Sequence, residues 1–131
     1  MRPATVFPLA LATLLASTSA SALRAQASDQ VYAGEELDTP PRLANPARTA
    51  RLVTESYPPL MKKTGVAGEA QVKFVVDTAG KVEPGSVEVV LATRPAFAMA
   101  AKGVAARIEF TPGRANGQPV RARVILPIQY K

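Results

Sequence analysis

Val120-Arg121-Ala122-Arg123-Val124-Ile125-Leu126-Pro127-Ile128-Gln129-Tyr130 is the stretch that decides the fold. Val120, Ala122, Val124, Leu126, Ile128 and Tyr130 fall on one face, and Arg121, Arg123, Ile125, Pro127 and Gln129 on the other. A period of two with one apolar face is a strand packed on a core. Pro127 has no N–H for a ladder, so the strand is read as an edge strand. Just before it, Asn116-Gly117 is turn chemistry, and Phe110-Thr111-Pro112 closes the segment upstream.

Working back along the chain, Phe97, Ala101, Val104 and Ile108 recur at helical spacing, with Pro95 near the start. They form a helix face turned toward a sheet. Gly103 costs that helix about 1 kcal/mol relative to alanine and is read as close packing rather than a hinge. A strand over Val87 to Leu91 is expected to face Val87, Val89 and Leu91 inward, with Pro84-Gly85 making its approach irregular. Ala70, Val72, Phe74 and Val76 alternate with Gln71, Lys73, Val75 and Asp77 in another strand, followed by a turn at Asp77-Thr78-Ala79-Gly80. Asn45-Pro46 reads as an N-cap followed by proline at the first helical position. That helix runs to about Glu55 and is broken by Tyr57-Pro58-Pro59, with a short turn of helix from Leu60 to Lys63. The order predicts a small two-layer α+β domain: a three-stranded antiparallel sheet with helices on one face.

The N-terminus has a different composition. Met1-Arg2 precedes an apolar run from Val6 to Ala16 and then small residues ending in Ala20-Ser21-Ala22 and Ala25-Gln26-Ala27. A short positive start, an apolar stretch and an A-x-A site form a secretory signal peptide, residues 1–27, with cleavage after Ala22 as the second choice. The 21 residues between Arg2 and Arg24 carry no charge and would also just span a bilayer as an anchor, though Pro8 interrupts them. Residues 28–44 read as an irregular lead-in, and residues 45–131 as the domain. Cysteine is absent, so an exported domain would rest on its hydrophobic core alone. The net charge is +6, or +4 once Arg2 and Arg24 leave with the signal, and the charges are interspersed. With no aromatic platform among the basic residues, nucleic acid is not expected as a partner.

Chemistry finds little purchase in this chain. Histidine and cysteine are both absent, which removes the usual general base, thiolate and zinc ligands. Gly113-Arg114-Ala115-Asn116-Gly117 lacks the lysine and strand-to-helix setting of a phosphate loop. No enzymatic activity and no cofactor or metal are expected. The positive signal is the last strand. An exposed strand edge accepts an extended peptide as a further strand, and Arg121, Arg123, Ile125 and Gln129 would suit one with acidic and aliphatic residues. The same arginines would equally guard the edge against aggregation.

Taken together, Tyr57-Pro58, Gly65, Gly68, the strand ending at Asp77, Gly80, Phe110-Thr111-Pro112, Asn116-Gly117 and the Pro127-bearing strand resemble the C-terminal domain of the TonB family. That resemblance spans Tyr57 to Tyr130. It implies a periplasmic protein that grips the TonB box, a short segment at the N-terminus of outer-membrane receptors, by adding it beside the final strand. It also implies contacts at Thr54, Glu55, Ser56, Tyr57 and Pro58, joining Arg121, Arg123, Ile125 and Gln129. Inner-membrane motor proteins would be further partners if the N-terminus is an anchor. Pairing of final strands would give a homodimer. The alternative is a stand-alone envelope interaction module with another partner and no force transduction.

Overall fold

The computed structural model describes residues 30–131. The expected signal segment, and Ser28 and Asp29 of the lead-in, lie outside the described residues. In chain order the elements are β1 (Val31–Tyr32), β2 (Arg42–Leu43), α1 (Pro46–Ser56), α2 (Pro59–Lys63), β3 (Gly68–Val76), β4 (Glu88–Ala92), α3 (Pro95–Ala105), β5 (Phe110–Thr111), β6 (Gly113–Ala115) and β7 (Gln118–Tyr130). Among the described residues, no helix is long and apolar enough to cross a membrane.

Local chemistry sets the boundaries. Asn45 caps α1 by accepting from the Arg48 N–H at 2.9 Å, and Pro46 takes the first helical position. Pro58 and Pro59 end that helix and start the next. Asp77 Oδ1 accepts from the Ala79 and Lys81 N–H groups, and Gly80 sits at φ +83 in the same turn. Its missing Cβ also matters, because one built there would meet the Phe110 carbonyl oxygen at 1.9 Å. Asn116 and Gly117, at φ 51 and 75, make the tight hairpin between β6 and β7.

The sheet runs β1-β7-β3-β4, with β6 pairing the start of β7. Its antiparallel heart, β4-β3-β7, is the expected three-stranded sheet. β3 pairs β7 from Gly68↔Tyr130 to Val76↔Ala122. α3 lies on β3 and β4, and α1 packs against α3 and β7. The core between the layers holds Val72, Phe74, Val76, Phe97, Ala101, Val104, Ile108, Ile128 and Tyr130, all buried. The four residues expected on the α3 face and its continuation, Phe97 to Ile108, are among them. A large apolar side chain buried this fully contributes about 1.5–3 kcal/mol.

Four expectations change. Gly103 is exposed and a Cβ built there would meet open space, so close packing does not account for it. The lead-in is not merely irregular: β1 adds in parallel to β7 at Val31↔Arg121 and Tyr32↔Ala122, and β2 pairs β5. As a result β7 is not the outermost strand over its whole length. Leu91 faces solvent rather than the core and is 46% exposed. The cause is a bulge. Gln71 pairs Leu91 while Val72 pairs Val89, so Val90 is an extra residue that reverses the alternation.

Candidate functional site

Among the described residues, β7 beyond Arg123 has strand neighbours on one side only, while the Arg123 N–H itself is turned to the Tyr32 carbonyl by the parallel Tyr32↔Ala122 pairing. Which of its backbone groups are free follows from β3. The Val75 N–H donates to Ser86 Oγ at 2.9 Å and the Val75 carbonyl accepts from Glu83 at 2.9 Å, both away from β7. Glu69 does the same toward Thr93. Their partners across the ladder, Arg123 and Gln129, therefore stand in non-hydrogen-bonded pairs and turn their main chain to the open side. Ile125 and Pro127 share that parity. The missing donor of Pro127 thus falls on the open edge and costs the β3 ladder nothing. This free edge, Arg123 to Gln129, is about 20 Å long at a rise of ~3.4 Å per residue.

The edge ends in a cleft of about 630 Å³ between α1, α2 and the end of β7. Thr54, Tyr57 and Gln129 line it together with Val53, Lys62, Gly65, Tyr130 and Lys131. No carboxylate side chain is among these lining residues. Lys62 takes part in no ion pair among the described residues.

An aromatic cluster forms the floor. Phe97 stacks on Tyr130 with ring centroids 5.0 Å apart, and Tyr57 meets both edge-on at 5.9 and 5.4 Å. The Tyr57 hydroxyl donates to the Val66 carbonyl at 2.5 Å, which ties α1's end to the start of β3. Tyr57 is therefore held from within while one side of it lines the cleft. Gly68 has to be glycine here, since a Cβ would lie 2.3 Å from the Phe97 ring. Ser56 Oγ donates to the Val53 carbonyl at 2.8 Å and lies 3.2 Å from the Tyr130 hydroxyl. Burial raises the Tyr130 hydroxyl above the ordinary phenol value, and the Ser56 contact works against that rise.

The expected site residues do not all come together. Thr54, Tyr57 and Gln129 meet at the cleft. Arg123 and Ile125, which is 58% exposed, lie along the free edge. Arg121 sits apart. It grips Glu83 with two bonds, Nε–Oε2 at 3.0 Å and Nη2–Oε1 at 2.8 Å, and its backbone lies against β1. Glu55 is exposed on α1 beside a second groove lined by Leu52, Met99 and Arg107, away from the edge. Ser56 and Pro58 are half-buried supports of the turn. Sequence reasoning missed Lys62 and Tyr130 as lining residues. Lys62 carried no signal, and Tyr130 signalled only a core face.

Residues 54–131, more than half of the chain, match the family of the Gram-negative bacterial TonB protein C-terminal domain. The chain belongs to the TonB C-terminal family. A comparison with curated proteins found no match. Membership makes this a TonB-like protein of the cell envelope, with a transport-related domain. The matched stretch starts at Thr54, inside α1, and takes in the cleft floor and the whole of β7. β1 and β2 lie outside it.

Proposed function

We propose that this TonB-like protein binds the TonB box of outer-membrane receptors in the periplasm, as a strand added to β7 between Arg123 and Gln129. Binding there serves energy-coupled transport across the outer membrane. The observation that carries this reading is the regular, outward-facing main chain of that segment, which runs straight into the cleft. The added strand gains main-chain hydrogen bonds at Ile125 and Gln129, and an acceptor only at Arg123 and at Pro127. Ile125 supplies an apolar contact on the solvent face. Arg123 at one end and Lys62 at the other favour a segment carrying carboxylates. Glu55, Ser56 and Pro58 act through the α1 end, and only Thr54 and Tyr57 of that turn reach the ligand. Motor proteins of the inner membrane would join if the N-terminus is an anchor.

Titration of the full chain with TonB-box peptides, followed by amide protection, tests this. The amides of Ile125 and Gln129 should gain protection together. Arg123→Glu should weaken an acidic peptide about threefold to tenfold, less so at high salt. A chain that ignores such peptides at millimolar concentration has a different partner, which returns the domain to an envelope interaction module without force transduction.

A further inference from the structure

β1 occupies part of the edge that the proposed partner uses. Val31 and Tyr32 lie in parallel on Arg121 and Ala122, immediately before the free segment begins. The rest of the lead-in is fastened elsewhere. The Asp38 and Thr39 N–H groups donate to the Arg114 carbonyl at 2.9 and 3.2 Å, and the Arg114 N–H donates to the Thr39 carbonyl at 2.9 Å. Asp38 Oδ2 accepts from the Asn116 N–H at 2.6 Å. Leu37 and Pro41 press on Gly113 so closely that a Cβ there would lie 3.2 Å from each. Between these two attachments is an exposed turn, Gly34–Glu36, pinned by the Ala33 N–H donating to Glu36 Oε2 at 2.7 Å.

The two attachments differ greatly in strength. From Leu37 onward the lead-in has side-chain packing and four hydrogen bonds to the β6–β7 hairpin. β1 has two half-buried residues and one short ladder. The gain from this short ladder is small and is opposed by the cost of ordering its residues. The exposed Gly34–Glu36 turn is the place where the chain changes direction between the two attachments.

Resting on the strand-addition reading, we infer that β1 is a displaceable strand: it holds Arg121–Ala122 in the free protein and yields them to a partner strand longer than the free edge. The binding edge then runs from Arg121 to Gln129, nine residues instead of seven. Arg121 becomes a partner contact through its main chain, while its guanidinium stays on Glu83. While β1 competes, the apparent affinity for a long strand is lowered by the fraction of molecules with the edge bare.

A disulfide lock tests this directly, because the chain has no cysteine of its own. Val31→Cys with Arg121→Cys places the two thiols on directly paired residues. Oxidised and reduced forms of that one protein are titrated with TonB-box peptides of seven and nine residues. The nine-residue peptide should bind the reduced form about threefold to tenfold more tightly than the oxidised form. The seven-residue peptide should bind both alike. In the wild-type chain, the nine-residue peptide should expose the Tyr32 amide to exchange while the Arg121 amide stays protected. Equal binding of the longer peptide to both forms, with Tyr32 still protected, overturns the displaceable strand and leaves strand addition standing. Binding of neither peptide overturns both.

Discussion

The sheet's two long edges are built in opposite ways. β4 is five residues long and carries a bulge at Val90, which breaks its row of backbone groups and turns Leu91 to solvent. β7 is thirteen residues long and keeps one parity through its nine-residue pairing with β3. A bulge blunts an edge against other chains, whereas a straight edge invites them. The domain therefore disables one edge by geometry. It leaves the other regular and tempers it locally, with Arg123, with Pro127 and with the two residues of β1. That contrast, more than any single side chain, is what favours β7 over β4 as the proposed binding edge.

The most damaging single change lies beneath the cleft. Phe97 is fully buried against Tyr130, Tyr57 and Gly68. Phe97→Ala should cost about 3–5 kcal/mol in denaturant unfolding and should abolish the cleft floor, so that peptide binding falls with stability. A loss under ~1 kcal/mol would mean that the aromatic cluster does not hold the end of β7.

Two neighbouring prolines sharpen the comparison further. Leu126 gives its main chain to β3, and Ile125 gives its own to the open side. Leu126→Pro should therefore destabilise the domain by about 3 kcal/mol or more. Ile125→Pro should cost less than ~1 kcal/mol yet reduce binding of a strand-adding peptide at least about tenfold. Equal stability loss at both positions would contradict the assigned parity. At β4 the converse change is to delete Val90, which straightens the edge. Stability should change by about 1 kcal/mol or less, but the protein should begin to self-associate through β4, visible as a concentration-dependent rise in molar mass by light scattering. A strictly monomeric deletion variant would show that the bulge is not what protects that edge.

Much of this was readable from residue order, because the fold rests on strong periodicities. The α3 face from Phe97 to Ile108, the β3 alternation and the turns at Gly80 and Asn116-Gly117 are local signals, and tertiary packing agrees with each. The errors have one cause: pairing is not local. Leu91 looks inward by alternation, but a bulge depends on the partner strand and leaves no mark on β4 itself. Two residues such as Val31-Tyr32 cannot signal a strand, so the closure of the edge at Arg121 was invisible. Pro127 pointed to an open edge, and its parity confirms that, though only for the part of β7 beyond Arg123. For the candidate site, Thr54 and Tyr57 were named through the family pattern and Gln129 through the alternation of the last strand, and the fold brings the three to one cleft. Lys62 was not, because its place depends on how α2 folds back toward the end of β7.

The smallest effect concerns the cleft end of the proposed binding edge. Tyr130 is 1% exposed, and burial raises its hydroxyl pKa above the free phenol value of 10.0. The folded state thus holds this proton more tightly than the unfolded state. That contribution to stability is fully present below pH ~10 and is lost as pH rises through the folded value, because the unfolded chain ionises first. Tyr130→Phe keeps the stacked ring and removes both the Ser56 contact and the ionisation. It should cost about 1 kcal/mol or less at neutral pH and flatten the alkaline fall in stability. Hydrogen exchange near pH 10 is too fast to read, so thermal unfolding from pH 8 to 11 is the measurement. Parallel curves for the two proteins would mean that the alkaline fall starts elsewhere. Converging curves would place the first alkaline weakness of the domain at Tyr130, at the cleft end of β7 and away from β4.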